Sequence, residues 1–384
     1  MQPMRIVLSL CLGLFLADAV VSLVDDSLIL FFNLHALAAI RGMLFFFAVL
    51  MAIVVYILMA LTPMIPKRLF LPLTLFNLVA GLLVVPCAIY FFDRIQQVSW
   101  VISVCQVILG LGILWWAQGE FKFRWPLVAE NQLGLRRFSW LNLSVFVLVN
   151  VFVLLPVVII YFAVCSASAV GHFSDGFLAL RLGGLKVYVR KYVRDDGKTI
   201  QLVPMAHVGD ADFYQKLAQS FPTNSIILME GVSDDQNLLT NHITYQRMAD
   251  SLGLAEQQKE FNPMQGEMVR ADIDVSQFST NTIDLLNLIM LVHAKGVNDQ
   301  SLMMLTRYTP PPHFEKQLFD DLLRKRNRHL LGEMESRLLE TENIIVPWGA
   351  AHMPEIAREI QKAGFRLKET REYTAIQFGS GNSR

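Results

Sequence analysis

The chain has 384 residues, of which 54% are hydrophobic and 17% charged, and its 33 basic residues balance 33 acidic ones. Soluble chains carry about a quarter charged residues, so this composition excludes a wholly soluble protein. Without a basic excess it gives no footing for nucleic-acid binding either.

Charges are sparse up to Ser168 and dense beyond it. That asymmetry divides the chain into a membrane domain, residues 1–168, and a soluble domain, residues 169–384, long enough to bury its own core. The four cysteines, Cys11, Cys87, Cys105 and Cys165, all lie in or beside apolar segments. The soluble domain has none, which excludes cysteine catalysis there.

A membrane-crossing helix needs about 20 mostly apolar residues. Five runs qualify: Ile6 to Val24, Met43 to Leu61, Leu71 to Phe92, Val98 to Trp116 and Leu141 to Val164. The first also has the layout of a signal peptide, with Arg5, the apolar run Ile6 to Leu16 and the small-residue stretch Ala17-Asp18-Ala19. We read it as a retained span. Leu28 to Ala39 is apolar but short, and is expected as an interfacial or re-entrant helix.

Arg5, Lys67-Arg68, Lys122 with Arg124, and Arg136-Arg137 fall on one side of such a bundle, against Arg41 and Arg94 on the other. The positive-inside rule then predicts a cytoplasmic amino terminus and an extracytoplasmic C-terminal domain, whether or not the first span is cleaved. Asp18 and His35 are the ionisable residues to weigh here, but Asp18 falls near the outer end of its span, within reach of water. No span carries the paired acids, basic series or broken-helix repeats of transporters and voltage sensors, so the bundle reads as an anchor in the lipid bilayer.

In the soluble domain, Leu185 to Arg194 and Thr199 to Met205 flank Asp195-Asp196-Gly197-Lys198, a hairpin signal because glycine accepts positive φ in the turn. Lys186-Val187-Tyr188-Val189-Arg190 alternates and should keep one wet face, whereas Ile226 to Met229 and Ile344 to Val346 are continuously apolar, as in strands covered on both faces. Helical patterns intervene at Ala211 to Ser220, Leu238 to Leu252, Thr282 to Ala294, Phe314 to Leu339 and Met353 to Ala363. Pro310-Pro311-Pro312 punctuates the chain before the fourth of these, and a closing strand is expected over Arg371 to Phe378. The expected architecture is an α-helical transmembrane bundle followed by an α/β domain with a largely parallel or mixed sheet.

Three of the apolar strands stop at a metal-competent side chain. Thr199 to Met205 leads to His207, Ile226 to Met229 to Glu230, and Ile344 to Val346 to His352. Ligands in such folds bind beyond the carboxyl ends of the strands, so neighbouring strands would bring these groups into one crevice. Imidazole and carboxylate are the donor set for a divalent ion, which lowers the pKa of bound water, with Glu230 as ligand or general base. Asp272 and Asp274 could add a carboxylate, or simply serve as turn and helix-cap residues. His242, His293, His313 and His329 sit in helical patterns or beside prolines and read as structural or solvent-facing.

Pro204-Met205-Ala206-His207-Val208-Gly209, Leu228-Met229-Glu230-Gly231, Arg326-Asn327 and Gly349-Ala350-Ala351-His352-Met353-Pro354-Glu355-Ile356 resemble, in order and spacing, the successive motifs of the TIKI/TraB superfamily. The resemblance covers most of the soluble domain. It implies a metal-dependent hydrolase, in some members a protease acting on extracellular peptides or proteins with a manganese- or cobalt-type ion. His207 and His352 match its motif histidines, Glu230 its strand-end glutamate and Arg326 its helix arginine. That guanidinium would hold a substrate carboxylate or polarise a carbonyl oxygen. Pro204 stands where the family usually has glycine, and Lys325 where it has an acid. The proline motivates the alternative of a non-catalytic module that sequesters a peptide or other signal ligand.

Overall fold

The computed structural model describes residues 2–119, 123–239, 246–295, 303 and 314–379, with backbone alone at 246–248 and 293–295. Lys122, His242, Pro310-Pro311-Pro312 and His313 lie outside the described residues, as does the side chain of His293. The chain divides into two compact units, Met1–Ser166 and Ala167–Arg384.

The first unit is helical: α1 Gln2–Phe32, α2 Ala38–Leu61, α3 Lys67–Tyr90, α4 Ile95–Gln118 and α5 Trp140–Phe173, the last with a π-helical turn at Asn150–Leu154. Among the described residues five helices are long and apolar enough to cross a membrane, which fits an integral membrane protein. Leu8, Leu12 and Phe15 of α1 pack against Val55, Met59, Phe70 and Leu114, while Phe46, Phe47 and Ile108 face outwards, as suits a lipid-exposed perimeter.

Two expectations change here. Leu28 to Ala39 is no interfacial or re-entrant helix: α1 runs on to Phe32, residues 33–37 connect, and α2 starts at Ala38. Nothing between Val24 and Phe32 breaks a helix, and α1 ends only at Asn33, whose φ is +54°. Asp18 therefore sits mid-helix rather than near its end, and Asp25 and Asp26 lie inside the helix as an acidic pair, all three carboxylates being 1% exposed.

The second unit holds a mixed sheet in the order β1-β2-β3-β8-β5-β7, with β9 also paired to β2. Its strands are β1 Leu178–Arg181, β2 Gly184–Val193, β3 Thr199–Met205, β5 Ile226–Met229, β7 Glu267–Arg270, β8 Asn343–Gly349 and β9 Arg366–Gln377. A separate two-stranded ladder joins β4 Val208–Gly209 and β6 Ala255–Glu256. The hairpin forms as expected, closing at Gly197 with φ +87°. The pairs β3 with β8, β8 with β5, and β5 with β7 are all parallel, so these strands end at one edge.

Alternate residues of the central strands face opposite ways. Ile344, Val346 and Trp348 pack with Ile226 and Leu228 against α10, a helix over residues 314–337, and α11 Met353–Lys362. Ile345 and Ile227 pack the other face with α6 Ala211–Gln219. Helices on both faces explain the unbroken apolar runs. The remaining helices are α7 Gln246–Leu252, α8 Gln257–Glu260 and α9 Thr280–Lys295. Leu238 and Leu239, expected in a helix, are not helical, because Asp234 accepts from both of their backbone N–H groups in a turn.

Toward their ends, β5 and β8 separate. Their ladder covers only Ile344 and Ile345, after which side chains replace it: Trp348 Nε1 donates to Leu228 O at 2.9 Å, and Gly349 N to Glu230 Oε2 at 2.5 Å. This divergence opens the crevice. Pro204 is accommodated because the β2 ladder stops at Leu202, leaving β8 as the hydrogen-bonded neighbour there.

Ile345, 1% exposed at the sheet centre, should cost about 2–5 kcal/mol when cut to alanine. We expect Ile345→Ala to lower the denaturant midpoint of the C-terminal unit, followed by hydrogen exchange in β3 and β8 of the full-length protein.

Candidate functional site

Each parallel strand delivers a polar residue at the splayed edge. His207 follows β3, Glu230 follows β5, Asp272 lies just past β7, and His352 starts α11 beyond β8. Gly231, with φ +148°, lets the chain turn sharply after Glu230 and donates its N–H to Asp272 Oδ2 at 3.0 Å.

The centre of the cluster is Arg326, on α10 immediately after a π-helical stretch, Asp320–Lys325. Its Nη2 donates to Asp272 Oδ2 at 2.6 Å and Glu230 Oε1 at 2.7 Å, and its Nε to Asp272 Oδ1 at 3.0 Å. Nη1 reaches His352 Nε2 at 3.3 Å and Leu322 O at 3.4 Å. Its guanidinium also lies 5.4 Å from the centre of the Trp348 ring. Side-chain exposure is 13% for Arg326 and 0% for Asp272, so the ion pair is largely out of water. The fork expected to face substrate is thus spent mostly on protein acceptors.

His352 is buried and oriented by a relay. Asn327 Nδ2 donates to Glu355 Oε2 at 2.6 Å, which turns Asn327 Oδ1 towards His352 Nδ1, also at 2.6 Å. Nδ1 therefore donates to Asn327, and Nε2 faces Arg326 and Glu230. Trp348 meets the imidazole edge-on at 5.1 Å. Burial pushes the Glu230 carboxyl up, but His352, the Arg326 guanidinium and the Gly349 N–H outweigh it and hold it down to about 2. Glu230 is accordingly a permanent anion and a weak base at neutral pH.

His207 is exposed at the mouth of a cavity of about 450 Å3 that it lines with Glu230, Arg326, Gln257 and the apolar side chains of Phe261, Phe278 and Met290. Gln257 N donates to His207 O at 2.9 Å, and Gln257 Oε1 is a buried acceptor without a partner. An apolar cavity with a few convergent polar groups is the usual form of a ligand site.

The four sequence candidates therefore share one edge, and Asp272 joins them. Asp274 does not: it accepts from Ser233 Oγ and from the backbone of Asp235 and Ser276, capping the turn Val275–Gln277. Lys325 pairs with the buried Asp321 at 2.6 Å, and His329 is exposed. Asn327, Glu355, Trp348 and Gln257 had no assigned role. Only Asn327, adjacent to Arg326, and Glu355, three residues after His352, carried a positional hint.

Could these side chains hold a divalent ion? Glu230 Oε1 and His352 Nε2 stand 3.5 Å apart, the separation of two ligands on one ion at about 2.0–2.2 Å each, and Asn327 orients the imidazole as an outer partner would. Arg326, however, is hydrogen-bonded to both donors, so a second cation there meets a fixed positive charge. Among the described residues no group of three or more His, Cys, Asp or Glu side chains is gathered to hold a metal. As arranged, the set does not fit a divalent ion.

No protein-family profile, no curated protein and no solved structure matches the chain.

Because Glu230 titrates near 2 in the folded protein and near 4.3 unfolded, its contribution of roughly 3 kcal/mol is complete above about pH 4.3 and is lost as pH falls towards 2. We expect Glu230→Gln to be less stable than wild type at neutral pH and to show a shallower loss across that acid window, measured by urea unfolding at stepped pH. Arg326→Met, which strands two carboxylates, should cost about 3–5 kcal/mol in the same assay.

Proposed function

We propose that the protein is a membrane-anchored hydrolase, its C-terminal domain cleaving peptides or proteins on the extracytoplasmic side. The observation that carries this reading is the convergence of His207, Glu230, Arg326 and His352 at the ends of neighbouring parallel strands, on a cavity of about 450 Å3. The resemblance in motif order supports the class, and the loop charges support a cytoplasmic amino terminus. The unpartnered Gln257 Oε1 suits the N–H of a peptide backbone, and Phe261, Phe278 and Met290 suit an apolar side chain beside it.

His207, the exposed imidazole lining the cavity, is the general base of this reading. Water attacks the substrate carbonyl carbon, its proton passes to the His207 ring, and the same proton is delivered to the leaving amine as the bond breaks. Arg326 Nη1, whose partners at 3.3 and 3.4 Å are the most distant of its set, turns to the developing oxyanion. Glu230 and Asp272 hold the guanidinium in place.

A divalent ion on His207, Glu230 and His352, of the manganese or cobalt type, is the second reading, favoured by the 3.5 Å approach of Glu230 and His352. It requires Arg326 to give way. Purified full-length protein in nanodiscs, incubated with a peptide library and read by mass spectrometry, separates the readings. We expect cleavage that survives chelation and falls about 10²–10⁴-fold in His207→Ala. Cleavage abolished by chelator and restored by Mn²⁺ or Co²⁺ supports the second reading instead. Peptide capture without any product defeats both in favour of a sequestering module.

A further inference from the structure

A polar seam runs between α1 and α4, inside a helical unit otherwise packed with apolar side chains. Asp18, Ser22, Asp25 and Asp26 form one stripe of α1, since residues three, four and seven apart share a helix face, and all are buried. The stripe extends roughly 12 Å along the helix at about 1.5 Å per residue.

The charges facing it can be named from each packed element. Helix α4 carries no charged residue and contributes Gln96, Ser99, Ser103 and Gln106, its Cys105 being exposed. Helix α2 contributes Arg41, while its Tyr56 bonds to Asn150. Phe76 of α3 meets Phe15, and Arg5 pairs with Glu130 at the other end of α1. Three carboxylates thus face one guanidinium.

Their partners are unequally shared. Arg41 donates to Asp26 Oδ1 at 2.7 Å and Oδ2 at 3.3 Å, and Asp26 also accepts from Ser103 at 2.6 Å, Ser99 at 3.0 Å and Gln96 at 3.2 Å. Both Asp26 oxygens are hydrogen-bonded and ion-paired. Asp25 has one contact, from Arg41 Nη1 at 3.3 Å, and Asp18 one, from Gln106 Nε2 at 2.7 Å. Asp25 Oδ1 and Asp18 Oδ1 are buried without a partner.

An ionised carboxylate so placed, in a helix that fits a membrane, is strongly disfavoured unless something neutralises it. A metal cation needs several oxygen ligands around it, which the open oxygens do not share. A proton needs one. We propose that Asp18 forms a proton-binding site within the membrane unit, carrying a proton at neutral pH, with Asp25 and Asp26 paired to Arg41 as the fixed ion cluster between α1 and α2. Beyond Asp18, Leu12, Phe15 and Leu16 close the seam with Ile113 and Leu114, so protons enter from the Arg41 end.

Infrared spectroscopy of the full-length protein in nanodiscs tests this. We expect absorbance from a protonated carboxyl group at neutral pH, reduced in Asp18→Asn and retained in Asp26→Asn. Asparagine mimics a protonated aspartate, so Asp18→Asn should keep the wild-type melting temperature, whereas Asp26→Asn should lower it. Should Asp18→Asn fail to fold, the wild-type spectrum still decides. The proposal is overturned by an absence of protonated-carboxyl absorbance at neutral pH, by a signal that follows sodium rather than pH, or by Asp18→Asn destabilising as much as Asp26→Asn.

Discussion

A single, largely buried guanidinium holds the splayed edge of the C-terminal sheet together. The ends of β5 and β7 bring the carboxylates of Glu230 and Asp272 side by side, an arrangement that like-charge repulsion would prise open. Arg326 is hydrogen-bonded to both and extends to His352, while the Trp348 ring supports it from below. The preceding π-helical turn offsets α10 just where this residue must reach across. The strands can splay into a crevice because side chains take up the hydrogen bonds their backbones give up there.

The two units handle buried carboxylates in opposite ways. In the C-terminal cluster each carboxylate has a cationic partner and a backbone donor as well, which holds the geometry in place. In the helical unit the stripe on α1 has more carboxylates than cations, and only Asp26 is fully partnered. The first solution fixes a polar cluster at the sheet edge. The second leaves two buried carboxylate oxygens without a hydrogen-bond partner.

Much of the C-terminal architecture was legible because burial on both faces leaves a plain record. Ile226 to Met229 and Ile344 to Val346 are continuously apolar, and each leads to the residue that marks the site. What sequence could not give was adjacency. Strand β8 lies between β3 and β5 although it comes last of the three, and that insertion is what gathers His207, Glu230 and His352. Asp272 and Asp274 are two residues apart and alike in type, yet one reaches the guanidinium and the other caps a turn. Strand β7, Glu267–Arg270, was missed because a half-exposed edge strand needs no apolar run. Gln257 is neutral and belongs to no motif, so only its stranded oxygen reveals it. In the membrane half, Asp25-Asp26 looked like the end of an apolar span. Helix growth depends on backbone bonding and buried partners, and Arg41 with the α4 hydroxyls supplied those.

In the proposed hydrolysis the His207 imidazole performs the proton transfer. Chemical rescue tests it most directly: the full-length His207→Gly variant is assayed for peptide cleavage with free imidazole added in steps. Little cleavage is expected without imidazole, and a saturable, dose-dependent recovery with it. Full activity in the unsupplemented variant, or recovery by a divalent metal and none by imidazole, would contradict it.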